Sequence, residues 1–180
     1  TWSAVRGAYM LSGTLYTGGS DGTLRRQSLS GDTVGAQKTL NLHGIQSETQ
    51  QSPSMSTQLA GATGMFWDPS NGRLYYTVSG DTHLYYRLFL PESGLMGEYR
   101  YTVCNWSSNA GQNTCGGLNP SIVRGMTLAG GQIYFGPANG NLPSVSFTRG
   151  SGVTGPGSVV APSPPIRRPQ HNPATRPPTP

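Results

Sequence analysis

At 180 residues the chain suits one domain with a tail, and its 34% hydrophobic content is broken up by 26 Gly and 15 Pro. No apolar run approaches the roughly 18 residues a membrane helix needs, and the scarcity of helix formers, with one Lys and three Glu, argues against helices and for short strands with many turns. The net charge of +5 is uneven: all seven acids precede Tyr99, and six Arg with no acid follow from there.

The first element in chain order is also the start of a repeat. Gly13-Thr14-Leu15-Tyr16-Thr17 recurs as Gly72-Arg73-Leu74-Tyr75-Tyr76 and again as Gly131-Gln132-Ile133-Tyr134-Phe135, spaced by 59 residues both times. Upstream of each copy stand Val5-Arg6-Gly7, Ala62-Thr63-Gly64 and Val123-Arg124-Gly125. Downstream come Asp21-Gly22-Thr23-Leu24, Asp81-Thr82-His83-Leu84 and Asn139-Gly140-Asn141-Leu142. Asp21, Asp81 and Asn139 recur at equivalent places, which marks them as turn formers rather than catalytic groups.

Each copy predicts four short antiparallel strands. In the middle copy these are Gly64 to Trp67, Arg73 to Val78, His83 to Leu90 and Leu95 to Val103. Large side chains on both faces predict sheets covered on both sides, with Tyr76 and Tyr86 placed in the core beside Leu74 and Leu84. Four-stranded units at this spacing read as β-propeller blades, over about residues 4–42, 62–103 and 122–160. The fold class is therefore all-β: a partial propeller of about three blades in residues 1–160, followed by a tail at 161–180. Three blades are fewer than a ring of ordinary curvature needs, so further blades or self-association are expected to complete it.

His43 to Ala60 reads as a long polar loop. Cys104 and Cys115 enclose a short Asn/Ser/Gly-rich segment with Trp106, and are expected to form a disulfide in an oxidising compartment. No His or further Cys stands at ligand spacing, so neither metal nor cofactor is expected. Nine of the 15 prolines fall at Pro156 or later, interleaved with Arg167, Arg168 and Arg176, and read as an extended spacer or docking peptide. The sequence opens on Thr1 with no Met and no leader, and is expected to be a mature product or an excised piece.

Catalytic motifs are missing from the sequence: there is no Gly-x-Ser-x-Gly, His-Glu-x-x-His or phosphate-cradling loop. None of His43, His83 and His171 stands at a spacing to an acid that predicts a relay. Tyr75, Tyr85 and Trp106 are the candidate ligand-binding residues, as rings presented at a blade surface for a sugar face or a partner side chain.

Gly72 to Gly94, with its Gly-x-Leu-Tyr-Tyr, turn, Leu-Tyr-Tyr-Arg-x-Phe-x-Pro-x-Ser-Gly pattern, resembles a repeat of large secreted proteins of high-GC Gram-positive (actinobacterial) bacteria. Val123 to Met126 and Gly131 to Leu142 are similar to the closing segment of that repeat. The resemblance implies a propeller-like architecture, a secreted or cell-surface location and neighbouring PKD-like or lectin-like modules, and it brings no catalytic motif. The expected function is a non-catalytic scaffold or binding module for a glycan or an envelope protein, without nucleic-acid binding or a membrane span. The alternatives are part of a glycan-active enzyme's propeller and a self-assembling surface or fibre component.

Overall fold

The computed structural model describes residues 2–40, 42, 54–148, 152–153 and 158–160. They form three antiparallel sheets that follow one another along the chain. The first holds β1 (Val5–Leu11), β2 (Thr14–Gly19), β3 (Leu24–Ser30), β4 (Thr33–Val34) and β5 (Lys38–Leu40). A short helix, α1 (Met55–Ala60), leads into the second: β6 (Ala62–Asp68), β7 (Arg73–Val78), β8 (His83–Leu90), β9 (Leu95–Met96) and β10 (Tyr101–Asn105). The third is β11 (Val123–Ala129), β12 (Gln132–Pro137), β13 (Leu142–Thr148), β14 (Gly152–Val153) and β15 (Ser158–Val160). The fold is all-β, and each sheet is a blade of the kind the 59-residue repeat predicts. The Pro/Arg-rich segment 161–180 and residues 43–53 lie outside the described residues.

The repeated sequence markers have repeated structural causes. Gly13, Gly72 and Gly131 adopt φ of 75°, 64° and 75° at the first hairpin, a left-handed conformation that β-carbon sterics deny most residues. The register of the innermost strand shifts between Val5 and Gly7, Ala62 and Gly64, and Val123 and Met126, so the upstream motif is a β-bulge. The glycine after two of these bulges permits close approach of the following sheet. A β-carbon on Gly7 would stand 2.8 Å from Met65 Cγ, and one on Gly64 would stand 2.9 Å from Val123 Cγ1.

The outermost strand differs from expectation. The single strand predicted for Leu95 to Val103 is two short pieces, β9 and β10, both paired with β8. The same break recurs as β4 and β5 on β3, and as β14 and β15 on β13. In the second sheet Arg87 fills the gap. Its side chain is 3% exposed, and its guanidinium donates to the carbonyls of Gly97 and Glu98, the residues that bow away from the ladder. A second guanidinium nitrogen donates to Gln58 Oε1 at 3.2 Å, and the Tyr76 hydroxyl donates to the same oxygen. The expected loop from His43 to Ala60 therefore ends as a helix. Ser54 caps it by accepting from the Thr57 amide, and Leu59, fully buried, packs into the space between the first two sheets.

Two apolar clusters alternate with the sheets. Tyr9, Tyr16, Leu24 and Leu40 of the first sheet meet Met65, Leu74, Tyr76 and Phe89 of the second. Phe66, Tyr75 and Leu84 on the opposite face of the second meet Val123, Ile133, Phe135 and Phe147 of the third. The middle sheet is thus covered on both faces, as its sequence predicts. Strand alternation fixes the facing: one set in each sheet looks to the following sheet and the intervening set looks to the preceding one.

Candidate functional site

Cys104 and Cys115 are joined as a disulfide, with their α-carbons 5.0 Å apart and both residues buried. The loop they close is tied back to the sheet. The Trp106 amide donates to the Thr82 carbonyl at 2.9 Å, and the Thr114 amide donates to the Asn105 carbonyl. Trp106 is half-buried and packs against the cluster between the second and third sheets.

Tyr75 and Tyr85 do not present their rings at the surface: they are 1% and 4% exposed. The reason is register. In the β7–β8 pairing Tyr75 stands opposite Tyr86 and Tyr76 opposite Tyr85, so Tyr76 and Tyr86 lie on different faces rather than sharing one. Tyr75 belongs to the interface with the third sheet, where its ring stacks on Phe66 at 4.8 Å and meets Phe147 edge-on. Tyr85 belongs to the interface with the first sheet and lies beneath the Arg100 guanidinium at 4.1 Å.

The surface aromatics lie one strand further out. Phe66, Tyr75, Tyr86 and Tyr101 are register partners in succession across β6, β7, β8 and β10. Their ring centroids are 4.8, 5.7 and 4.9 Å apart, making a ladder that begins in the core and ends at the sheet margin. Tyr101 is 42% exposed and stacked on Tyr86, whose ring also carries the Arg73 guanidinium at 4.2 Å. Leu88, register partner of Arg73, is exposed beside them. Tyr101 and Arg73 were not named from the sequence as binding residues, and Tyr86 was placed in the core. The available signal was the tyrosine pair 99/101, and only the strand register shows which ring it meets.

At the β7–β8 turn the sequence spacing predicts no relay, yet a histidine does meet an acid there: His83 Nδ1 and Asp81 Oδ1 are 2.6 Å apart. The same carboxylate accepts the His83 amide and the Tyr85 hydroxyl. Burial pushes the Asp81 carboxyl up, but the hydrogen bonds from the His83 ring, Tyr85 and the His83 amide outweigh it and hold Asp81 below the usual range. Burial, with the Asp81 bond second, pushes Tyr85 up to about 12. The turn role is shared by the repeats. Asp21 accepts the Thr23 amide and Asn139 accepts the Asn141 amide in the same two-residue pattern. In the first sheet Arg25 takes the place of Tyr85 as the donor four residues on, so the carboxylate's common duty is to brace the turn.

Arg6 and Arg124, equivalent residues of the first and third bulges, line a groove of about 570 Å³ between β1 and β11. Among the described residues no group of three or more His, Cys, Asp or Glu side chains is placed to hold a metal ion. Among the same residues no helix is long and apolar enough to cross a membrane.

No protein-family model matches the sequence, and no curated protein does. Solved structures similar to the chain include the WD40 β-propeller domain of Doa1, at 13% identity and a TM-score of 0.41 over 83% of this chain and 38% of that one. A luciferin-regenerating enzyme is similar at 16% identity and a TM-score of 0.44, over 82% of this chain and 43% of that one. A chain of a nidogen/laminin complex is similar at 13% identity and a TM-score of 0.37, over 79% of this chain and 75% of that one. The chain thus spans less than half the length of the first two.

Proposed function

We propose that the chain is a non-catalytic, extracytoplasmic binding module, and that the margin of its middle sheet takes a glycan. The observation that carries this reading is the Tyr101–Tyr86 stack with Arg73 over it: a half-exposed ring, held flat by its neighbour, beside a cation. A ring already immobilised loses little rotamer freedom on binding, so a sugar face can stack on it cheaply, and the guanidinium offers donors to hydroxyl or carboxylate groups. The disulfide supports an oxidising compartment, which suits a secreted or cell-surface location.

Glycan-array binding followed by calorimetry on Tyr101→Ala tests it. Loss of one stacking platform, worth about 1 kcal/mol, lowers affinity about fivefold with melting unchanged. A module that binds no glycan, or binds equally after Tyr101→Ala, refutes the reading. A hydrolytic reading is favoured by one observation, the Asp81–His83 hydrogen bond. It requires turnover that His83→Ala abolishes. The non-catalytic reading expects no turnover in either protein.

A further inference from the structure

The innermost strands of the three sheets pack together: β6 lies against both β1 and β11, and β1 also reaches β11. Two of these approaches are tight. A β-carbon on Gly7 would strike Met65, and one on Gly64 would strike Val123 and Met126. The approach of β11 to β1 is open instead. A β-carbon on Gly125, the equivalent glycine, would meet nothing within 4 Å, and Gly125 lines the groove of about 570 Å³ between the two strands. That volume is in the range of small-molecule sites.

The charge in this groove is one-sided. Arg6 and Arg124 line it, both exposed, and no acidic side chain does. The bulge itself does not call for arginine. Its middle copy carries Thr63, which shares a hydrogen bond with Thr77 at 2.8 Å and does not line the groove. Cations therefore stand at the two bulges that share the groove and are missing from the third. Among the described residues neither arginine is in an ion pair, and Arg124 donates to the carbonyl of its own neighbour, Val123. Guanidinium groups in a concave wall without a balancing acid suit an oxyanion, which their planar forks grip through paired hydrogen bonds.

Much of the remaining lining is apolar. Met65, Met126, Pro137 and Leu142 contribute to it, and Leu142 is 46% exposed. A second groove, of about 370 Å³, shares Ala8 and Thr127 with the first and continues to Phe66 and Trp67. An inorganic anion would pair with the arginines and leave this apolar surface in water, and a neutral apolar molecule would do the reverse. We propose that the groove between β1 and β11 binds a small organic oxyanion. Arg6 and Arg124 hold its head group, and its hydrocarbon body lies against Met65 and Met126. This site is on the innermost strands, so it is separate from the glycan platform at Tyr101 on the outermost strand, β10.

Calorimetry of the 180-residue chain with phenylpropionate, phenyl phosphate, the neutral phenylpropionamide and inorganic phosphate tests the proposal. At least one of the two organic anions is expected to bind, and the tighter one identifies the head group. The amide and inorganic phosphate are each expected to bind at least tenfold more weakly than that anion. Arg6→Gln and Arg124→Gln are each expected to weaken it about tenfold with melting unchanged, since both side chains are exposed. Gly125→Leu narrows the groove from a position with open space, and its expected loss of binding keeps the test sound where an arginine variant fails to fold. Failure of both organic anions to bind at millimolar concentration overturns the proposal. So does an amide or inorganic phosphate that binds as tightly as the organic anion, or binding that all three substitutions leave unchanged. Tyr101→Ala is expected to leave this binding intact, so the failure of either site is distinguishable from the failure of the other.

Discussion

The tyrosines show how position within a strand decides what a side chain does. Tyr75, Tyr76 and Tyr85 belong to inter-sheet packing, and Tyr101 reaches solvent at the margin of the same sheet. Burial pushes the hydroxyls of Tyr9 and Tyr76 up, as it does Tyr85, which reaches about 12. The sign follows directly. The fold favours the protonated phenol, so this contribution is complete below the unfolded value near 10 and is lost as pH rises towards 12. The melting temperature is therefore expected to be flat below pH 9.5 and to fall steeply between pH 10 and 12. The midpoint of a spectrophotometric phenolate titration should coincide with that fall. A titration complete by pH 10.5 with the fold intact contradicts the burial assigned to these rings.

At the scale of elements, the interrupted outer strand of the middle sheet depends on Arg87. Its guanidinium satisfies the carbonyls of Gly97 and Glu98 and the Gln58 side chain, joining α1, β8 and the gap between β9 and β10. Arg87→Met keeps much of the volume and strands those acceptors in a buried site. The expected cost is about 2–4 kcal/mol in urea unfolding. Amide exchange should accelerate first at Gly97 to Tyr101, and a uniform loss of protection would show that the arginine braces the whole sheet instead.

Elements were legible in the sequence to differing degrees, for physical reasons. Strands Arg73–Val78 and His83–Leu90 follow from alternation and turn chemistry, which are local. The broken fourth strand does not, because the side chain held in its gap comes from another strand and is braced by a helix nearly 40 residues upstream. Which tyrosines reach the surface was hidden for a related reason. Alternation tells that Tyr75 and Tyr76 face opposite ways, but which of them shares a face with Tyr86 depends on hairpin register, and a single-residue change exchanges the answer. The Asp81–His83 contact was hidden by its closeness: a two-residue spacing reads as a turn, and here the turn and the contact use one carboxylate.

For the whole molecule, the two clusters make the sheets interdependent, since each cluster is built from both neighbours. Removing residues 119–180 takes away Val123, Ile133, Phe135 and Phe147 and uncovers Phe66, Tyr75 and Leu84 together. Such a truncation is expected to bind a hydrophobic dye and to lose its sharp thermal transition, because a sheet's uncovered face has no substitute partner. A truncated chain that melts as sharply as the full one, without dye binding, would show that two sheets suffice. The repeat made this architecture the most legible part of the sequence, because each of its markers maps to a bulge, a left-handed glycine or a braced turn.

The broken outer strand has a further consequence for the kind of contact the molecule can make. An intact margin would offer a straight row of free amides and carbonyls on which any extended chain could add itself, without limit of number. In all three sheets the outermost row is two and three to five residues long on either side of its gap, too short and too kinked to template another strand. The backbone therefore discourages indiscriminate growth along the rims, and recognition is left to side chains.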